Sequence, residues 1–379
     1  MGLISDILRE KKEVIERIRR TLGPDEISRA LRDHHSKRRP RPCGITIHTG
    51  IGCSYGCTYC YIYDMGFPGK VTPYPLKPAE MAFAIATNPY VLPRMVFAAY
   101  GSVTEPFLEE TRNLSIQYIG EVYKWLKLPS QVATKSVLND PLASKLKNTD
   151  PMLNVLITII TIERYAELEP CAPSPLDRIE GGSIAADKKL NVTLFVRPII
   201  PGITNKEIDK VLSIAIEKGI DTVVFGSLRV THGILRRLKA KLGNIMDIEK
   251  RLDKMPRSST QQVPIKAMDI KKKLVKTAID YGFKVFETAC SANVNAHREF
   301  CNACGYGPCG DPSKKPRFSS NDVLEYLEHF NISAKDMEID EDHVRLYILP
   351  RNHVDRVLDI VKYHLSFSTR LRVRLHLTK

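Results

Sequence analysis

The chain has 379 residues, 43% hydrophobic and 26% charged, and carries a formal net charge of +14 from 57 Lys+Arg against 43 Asp+Glu. That length holds one large core, or one core with appendages, and the balance is ordinary for a soluble globular protein. No apolar run approaches the roughly 18–20 residues that cross a bilayer, so a membrane protein is excluded. The basic surplus favours a polyanionic partner, RNA or DNA, although Lys- and Arg-rich surfaces also occur as charged networks in proteins from hot environments.

Residues 3–35 read as helical, with Leu3, Ile4, Ile7, Leu8, Val14, Ile15, Ile18 and Leu22 near helical spacing and a break at Gly23-Pro24-Asp25. The basic stretch Ser36–Pro42 leads into the first strand and reads as a solvated linker or a phosphate-contacting arm. Strand-like segments then follow at Gly44–Thr49, Arg94–Tyr100, Gln131–Lys135, Leu153–Ile162, Val192–Ile200, Thr222–Leu228 and Lys284–Glu287. Helix-like segments alternate with them at Leu76–Asn88, Arg112–Leu126, Asp140–Leu146, Ile184–Lys189, Asn205–Lys218 and Ala267–Tyr281. Such alternation means parallel β/α units, whose functional groups collect at the carboxyl ends of the strands.

A Gly/Cys/Pro-rich stretch at 289–316 interrupts the pattern. Beyond it, helices at Asn321–His329 and Asn352–His364 and strands at Val344–Leu349 and Leu371–Leu377 form a small αβαβ tail. Its last strand alternates Arg with apolar residues, so one face is buried and one is basic. That face suits RNA or simply protects an exposed edge.

Nine cysteines in a chain with no secretory h-region point to metal ligation in the cytoplasm rather than to disulfides. Seven of them fall in two groups. The first, Cys53-Ser-Tyr-Gly-Cys57-Thr-Tyr-Cys60, places three thiols in one loop after an apolar strand. Three soft ligands suit an iron–sulfur cluster that keeps one iron open, whereas structural zinc takes four protein ligands. A zinc loop is the alternative. This C-x3-C-x2-C loop resembles that of the radical S-adenosylmethionine (SAM) superfamily. The resemblance implies a partial (β/α)6 barrel, a [4Fe–4S] cluster on Cys53, Cys57 and Cys60, and SAM on the open iron. It also implies reductive cleavage of SAM to a 5′-deoxyadenosyl radical that abstracts hydrogen from a substrate, with the electron coming from a donor such as a ferredoxin or flavodoxin. The chain then divides into N-terminal helices and linker (1–42), barrel (43–288), cysteine-rich segment (289–316) and α+β module (317–379).

Further segments resemble the spore-photoproduct-lyase-like members of that superfamily, over about residues 43–240. Tyr100-Gly-Ser-Val-Thr-Glu-Pro106 matches the segment that holds the methionine amino group, implicating Gly101, Ser102, Thr104 and Glu105; it departs in having Thr104-Glu105 where Thr/Ser-Asp is common. Thr134-Lys135-Ser136 puts Lys135 toward the SAM carboxylate, or on the surface. Thr158 and Thr161 are candidates for the ribose, Arg197 for the carboxylate, Ile200 for packing on adenine with Gly202 in the following turn, and Gly226 for backbone contact with adenine. Leu168–Arg178 matches a motif of that subgroup, with Cys171 replacing arginine. Its thiol is a candidate hydrogen-atom donor, or a small buried apolar residue.

The second group, Cys290, Cys301, Cys304 and Cys309, with His297 between, makes a closed four-thiolate site for either a second [4Fe–4S] cluster or zinc. Following the last barrel strand, it is expected near the substrate mouth. Three functions stand open: radical SAM modification or repair of a nucleic acid; the same chemistry on a protein, peptide or small metabolite; or a non-catalytic, metal-stabilised nucleic-acid-binding protein.

Overall fold

The structure is a computed structural model and describes residues 3–40, 43–349 and 355–378. The β/α alternation becomes a parallel sheet whose strands lie side by side in chain order: β1 (Ile45–Ile47), β2 (Ala98–Tyr100), β3 (Ser130–Thr134), β4 (Asn154–Thr158), β5 (Asn191–Ile199), β6 (Thr222–Ser227) and β7 (Lys284–Phe286). Each neighbouring pair is parallel. β1 and β7 are not paired to each other, so six β/α units and a closing seventh strand make an open partial barrel.

The strands are shorter than their apolar runs suggest. The run Leu153–Ile162 contributes only Asn154–Thr158, and residues 159–162 leave the sheet. All five residues of β4 are buried, as expected for a strand covered on both faces.

N-terminal helices α1 (Leu3–Arg19) and α2 (Pro24–Arg32) pack beside α3 (Pro78–Thr87), and Pro24 sits in the first turn where its missing N–H costs nothing. Outer helices α4 (Glu109–Leu126), α5 (Asp140–Thr149), α6 (Pro175–Asp187) and α7 (Thr204–Glu217) follow successive strands. The helix expected at Ile184–Lys189 starts nine residues earlier at Pro175, with Ser174 capping it through a bond from the Asp177 amide. Gly181 and Gly182 within it serve close packing: a Cβ at Gly181 would lie 2.6 Å from the Leu138 nitrogen. Two helices of eight residues or more have no counterpart in the sequence reading, α8 (His232–Leu242) and α10 (Ala289–Ala296), on either side of α9 (Met268–Asp280).

In the tail, α11 (Ser320–Glu328) and α12 (Asp355–Thr369) cover one face of a sheet of β8 (Ala334–Ile339), β9 (His343–Ile348) and β10 (Arg372–Leu377). Strand β8 was not expected, and residues 352–354 of the expected last helix lie outside the described residues, as do 41–42 of the basic linker. Val344, Leu346, Ile348 and Val373 form the buried face together with Ile4 of α1. Ile7, Val14 and Ile18 of the same helix belong to the barrel core, so α1 ties the tail to the barrel. Of the basic stripe read in the last strand, Arg374 is exposed, whereas Arg370, just before β10, is buried and paired with Glu299. Among the described residues, no helix is long and apolar enough to cross a membrane.

Candidate active site and second cysteine site

A cavity of about 560 Å³ opens at the carboxyl ends of the barrel strands, lined by Tyr100, Thr134, Thr158, Arg197 and Ser227 from five of them. Cys53, Cys57 and Cys60 line it as well, on the loop that leaves β1. Tyrosines hold that loop. Tyr55 shares a hydrogen bond with Ser136 at 2.8 Å, Tyr61 donates to the Ser102 carbonyl at 2.7 Å, and Tyr63 donates to the Cys53 carbonyl at 3.1 Å. Tyr59 donates to Glu169. Outside the cavity, Arg237 on α8 grips the same loop, donating to the Thr58 and Cys60 carbonyls at 3.0 and 2.8 Å and to Asp64 at 2.9 and 2.8 Å.

Burial pushes all three thiols up, Cys53 to about 11. The Lys135 ammonium opposes this at Cys57 and Cys60. Burial works against its own charge, but the Cys57 thiol and the Glu169 and Glu105 carboxylates hold Lys135 above the ordinary lysine value. Its Nζ sits 5.6 Å from the Tyr59 ring centre.

Glu105 lines the cavity and is buried. Its carboxylate accepts from the Thr134 hydroxyl at 2.5 Å, the Lys135 amide at 2.8 Å and the Ser136 hydroxyl at 3.3 Å. Desolvation raises its pKa despite these donors. The Thr134-Lys135-Ser136 motif is thus a cradle for Glu105. Gly101 has φ +91° and a Cβ there would lie 2.4 Å from the Ala133 carbonyl oxygen, so only glycine brings this segment against β3. The hydroxyls of Ser102 and Thr104 line the cavity, are buried, and lack hydrogen-bond partners. Buried orphans of this kind are rare and call for a polar ligand.

Arg197 lines the cavity with burial lowering its pKa, and its guanidinium makes no hydrogen bond or ion pair among the described residues. Gly226 lies under it: a Cβ there would come 2.6 Å from Arg197 Cδ. Gly226 therefore makes room for Arg197 and does not itself line the cavity, which corrects the expected adenine contact. Three more expectations shift. Ile200 is fully buried in a core shared with Cys57 and Tyr59 and is not among the lining residues. The Thr161 hydroxyl is bonded to Glu207 at 2.8 Å, away from the cavity. Cys171 is exposed beside the cluster loop, its amide bonded to the Tyr55 carbonyl at 3.2 Å and its Sγ next to Gly56, and it does not line the cavity.

The motif around Cys171 has a different reason to exist. Glu169 and Arg178, both fully buried, pair at 2.5 Å, and Arg178 also donates to the Thr158 carbonyl at 2.8 Å. Tyr59, Glu169, Arg178 and Thr158 thus link the cysteine loop to the end of β4. Sequence reasoning missed Glu169, Arg178, Asp64 and Arg237. The spacing of Glu169 and Arg178 within one motif was the available signal; Arg237 left none.

The second group gains a member. Cys43 stands two residues before β1, and the neighbouring Cys290 thiol on α10 pulls Cys43 down to about 7 while Cys290 is pushed up. Cys301 and Cys309 face each other in the hairpin Phe300–Cys301/Cys309–Gly310, with Cys304 in its loop. Cys43 and Cys53 flank β1, so the two cysteine groups gather at opposite ends of that strand. None of Cys43, Cys290, Cys301, Cys304 and Cys309 lines the cavity, contrary to the expected position at its mouth; Ala289, next to Cys290, does line it. His297 is no ligand: its Nε2 accepts from the Ser130 amide at 3.2 Å and its Nδ1 bonds the Asn293 carbonyl at 3.0 Å. The cavity residues fit a cluster and SAM, with three thiols, the Lys135 and Arg197 cations and two orphaned hydroxyls lining it.

No family model matches the chain. A double mutant of spore photoproduct lyase with bound AdoMet and dinucleoside spore photoproduct matches it with a TM-score of 0.56 at 16% identity, over 73% of this chain and 94% of that one. Another mutant of that lyase gives 0.53 at 16% identity, over 70% and 86%. Uncharacterized protein ORF301 of Acidianus two-tailed virus is 25% identical over 233 residues, 55% of this chain and 75% of the viral protein. Strand order, the cysteine loop after β1 and these likenesses identify the fold of this chain as the radical SAM partial barrel, in the form found in spore photoproduct lyase.

Proposed function

We propose that the protein is a radical SAM enzyme acting on a nucleic acid. The observation that carries the chemistry is the convergence of Cys53, Cys57 and Cys60 with Lys135, Arg197 and the orphaned Ser102 and Thr104 hydroxyls on one strand-end cavity. A [4Fe–4S] cluster on the three thiolates, with SAM and an electron from a ferredoxin or flavodoxin, supplies a 5′-deoxyadenosyl radical for hydrogen abstraction. The protein's own residues bind and orient. Arg197 and Lys135 offer cations to the SAM carboxylate, Arg197 as a bidentate fork. Ser102 and Thr104 offer hydroxyls to its polar groups, and Gly101 lets that backbone approach. Thr158 lines the wall opposite, toward the ribose.

Substrate class follows from charge. Basic residues lining the cavity are Lys135, Arg197 and Arg229, and the acidic one is Glu105, already enclosed by residues 134–136. One SAM carboxylate does not use three cations. Arg229 at the rim, with the overall +14, favours a phosphodiester over a neutral metabolite.

Two experiments test this. Anaerobically reconstituted protein with dithionite is expected to release 5′-deoxyadenosine from SAM, and Cys57→Ala is expected to abolish that release; no release from iron-loaded wild type overturns the enzyme reading. Binding to RNA and DNA oligonucleotides is expected to weaken steeply with salt and with Arg229→Ala. Absence of binding at low salt turns the substrate toward a peptide or metabolite.

A further inference from the structure

We propose that the deep end of the cavity, nearest the starts of the strands, is a subsite for one base of the substrate, and that the side-chain oxygen of Gln131 reads the N–H edge of that base. This rests on reading the substrate as a nucleic acid, and goes beyond that reading in naming the place, the residue and the chemical feature selected.

The cavity is charged at one end only. Positions 131, 133 and 135 share one face of β3 and its exit, so Gln131 lies four residues below Lys135, about 13 Å by strand rise. At that depth Thr46 of β1, Ala99 of β2 and Gln131 of β3 stand side by side in register, and all three line the cavity. Ala99 is mid-strand with a paired strand on either side, yet it is exposed, so the space over it is open. An alanine between two longer side chains makes a notch, and the strands flanking it lie about 10 Å apart. Leu156 and Phe195, packed with Ala133 and Ala289, give the notch an apolar wall, and no charged side chain belongs to it.

The orientation of Gln131 is fixed by its partners, and it is only 6% exposed. Asn154 donates its amide hydrogens to the Asn191 carbonyl at 3.1 Å and the Thr193 hydroxyl at 3.3 Å, which leaves its oxygen to accept. Gln131 Nε2 donates to that oxygen and to the Ala289 carbonyl at 2.7 Å. Both amide hydrogens of Gln131 are engaged, and its Oε1 has no donor among the described residues. A nearly buried acceptor without a donor is rare, and it favours an N–H over another lone pair. Across the notch, the Thr46 hydroxyl donates or accepts as the ligand requires. A flat, uncharged heterocycle with an N–H on its edge meets these demands, with its faces against Phe195 and Leu156. A nucleobase is such a group, and its phosphates stay with Arg229 at the rim.

The test uses full-length protein with its cluster rebuilt and SAM bound, without reductant and at low salt, and fluorescence anisotropy of labelled homopolymers of each of the four bases. The tightest-bound homopolymer is compared with a counterpart methylated at the base N–H positions, which keeps the phosphates and removes the donor. Wild type is expected to bind the counterpart about tenfold more weakly, because a site built around an acceptor rejects an analogue that lacks the donor. Gln131→Leu is expected to bind the two equally. Ala99→Leu fills the notch and leaves the partners of Gln131 untouched, and it is expected to bind both at the weaker level. Circular dichroism and iron content check that each variant is folded. Equal binding of the two by wild type, or wild-type discrimination in Gln131→Leu, overturns the role of Gln131. Wild-type affinities in Ala99→Leu overturn the place of the subsite. No binding of any homopolymer by wild type overturns the nucleic-acid reading itself, and this proposal with it.

Discussion

Glu169 and Arg178 meet at 2.5 Å with neither side chain exposed to solvent. The same carboxylate accepts the Tyr59 hydroxyl, and the same guanidinium donates to the Thr158 carbonyl. One buried ion pair therefore fixes the loop that carries Cys57 and Cys60 to the end of β4, where Thr158 faces the cavity. Removing one partner leaves the other charge buried and unpaired, which costs about 3–5 kcal/mol. Arg178→Leu is expected to lower stability by that amount in urea unfolding and to reduce iron loading. Wild-type stability in Arg178→Leu would show that the pair is dispensable.

Arg237 acts from outside the cavity. It binds the Thr58 and Cys60 carbonyls and Asp64, whose carboxyl would rise on burial but is held below its usual range by Arg237 and Thr231. Arg237→Leu is expected to leave the fold intact and to drop iron at the first site about tenfold at limiting iron, reflecting about 1.4 kcal/mol of lost preorganisation. Unchanged iron titration would assign Arg237 a purely structural part.

Gly226 gives a test of Arg197 that does not touch its charge. In Gly226→Ala, the added methyl would lie 2.6 Å from Arg197 Cδ, 2.7 Å from its Cγ and 3.1 Å from its Cβ, so the side chain must change rotamer and β5 must shift slightly against β6. SAM affinity by equilibrium dialysis is expected to fall about tenfold, by about 1.4 kcal/mol, with a modest fall in Tm. A large fall in Tm with normal SAM affinity would mean that β6 moved instead.

Stability should fall with acid for a reason outside the active site. His35 is fully buried with its Nδ1 on Asp33 at 2.7 Å and its Nε2 accepting from the His48 amide, and His34, His48, Arg38 and Tyr74 crowd it. Burial lowers His35 to about 4 and His48 to about 3. These bases are depressed in the fold, so between about 6.5 and 4 the unfolded chain binds more protons than the native one, and stability drops as pH falls. The slope is on the order of 1.4 kcal/mol per pH unit for each histidine. Urea midpoints at pH 7.0 and 5.0 measure it, and His35→Gln should flatten it. A midpoint that does not move with pH would show that the cluster is already protonated in the fold.

The parts legible in the sequence were those encoded by neighbours in the chain. Cys53, Cys57 and Cys60 lie within eight residues, and each barrel strand announced itself by its own apolar run. Residues whose role depends on a distant partner were not legible. Cys43 looked isolated because Cys290 is 247 positions away, and Arg237 sits on a helix with no motif. The buried, apolar alternative read for Cys171 fails for the complementary reason, since its motif places the Glu169–Arg178 pair inside while the thiol itself is exposed.

The sequence by itself determined the three-thiolate loop, the β/α alternation and the basic charge, because ligand spacing, hydrophobic period and composition are local properties. Only the tertiary structure decided that Glu105 is enclosed by residues 134–136, that Gly226 yields space to Arg197, and that Cys43 comes near Cys290. Those relations arise where strand ends and loops remote in the chain are packed against each other, and burial then sets which charged or polar atoms find partners and which are left to bind something else.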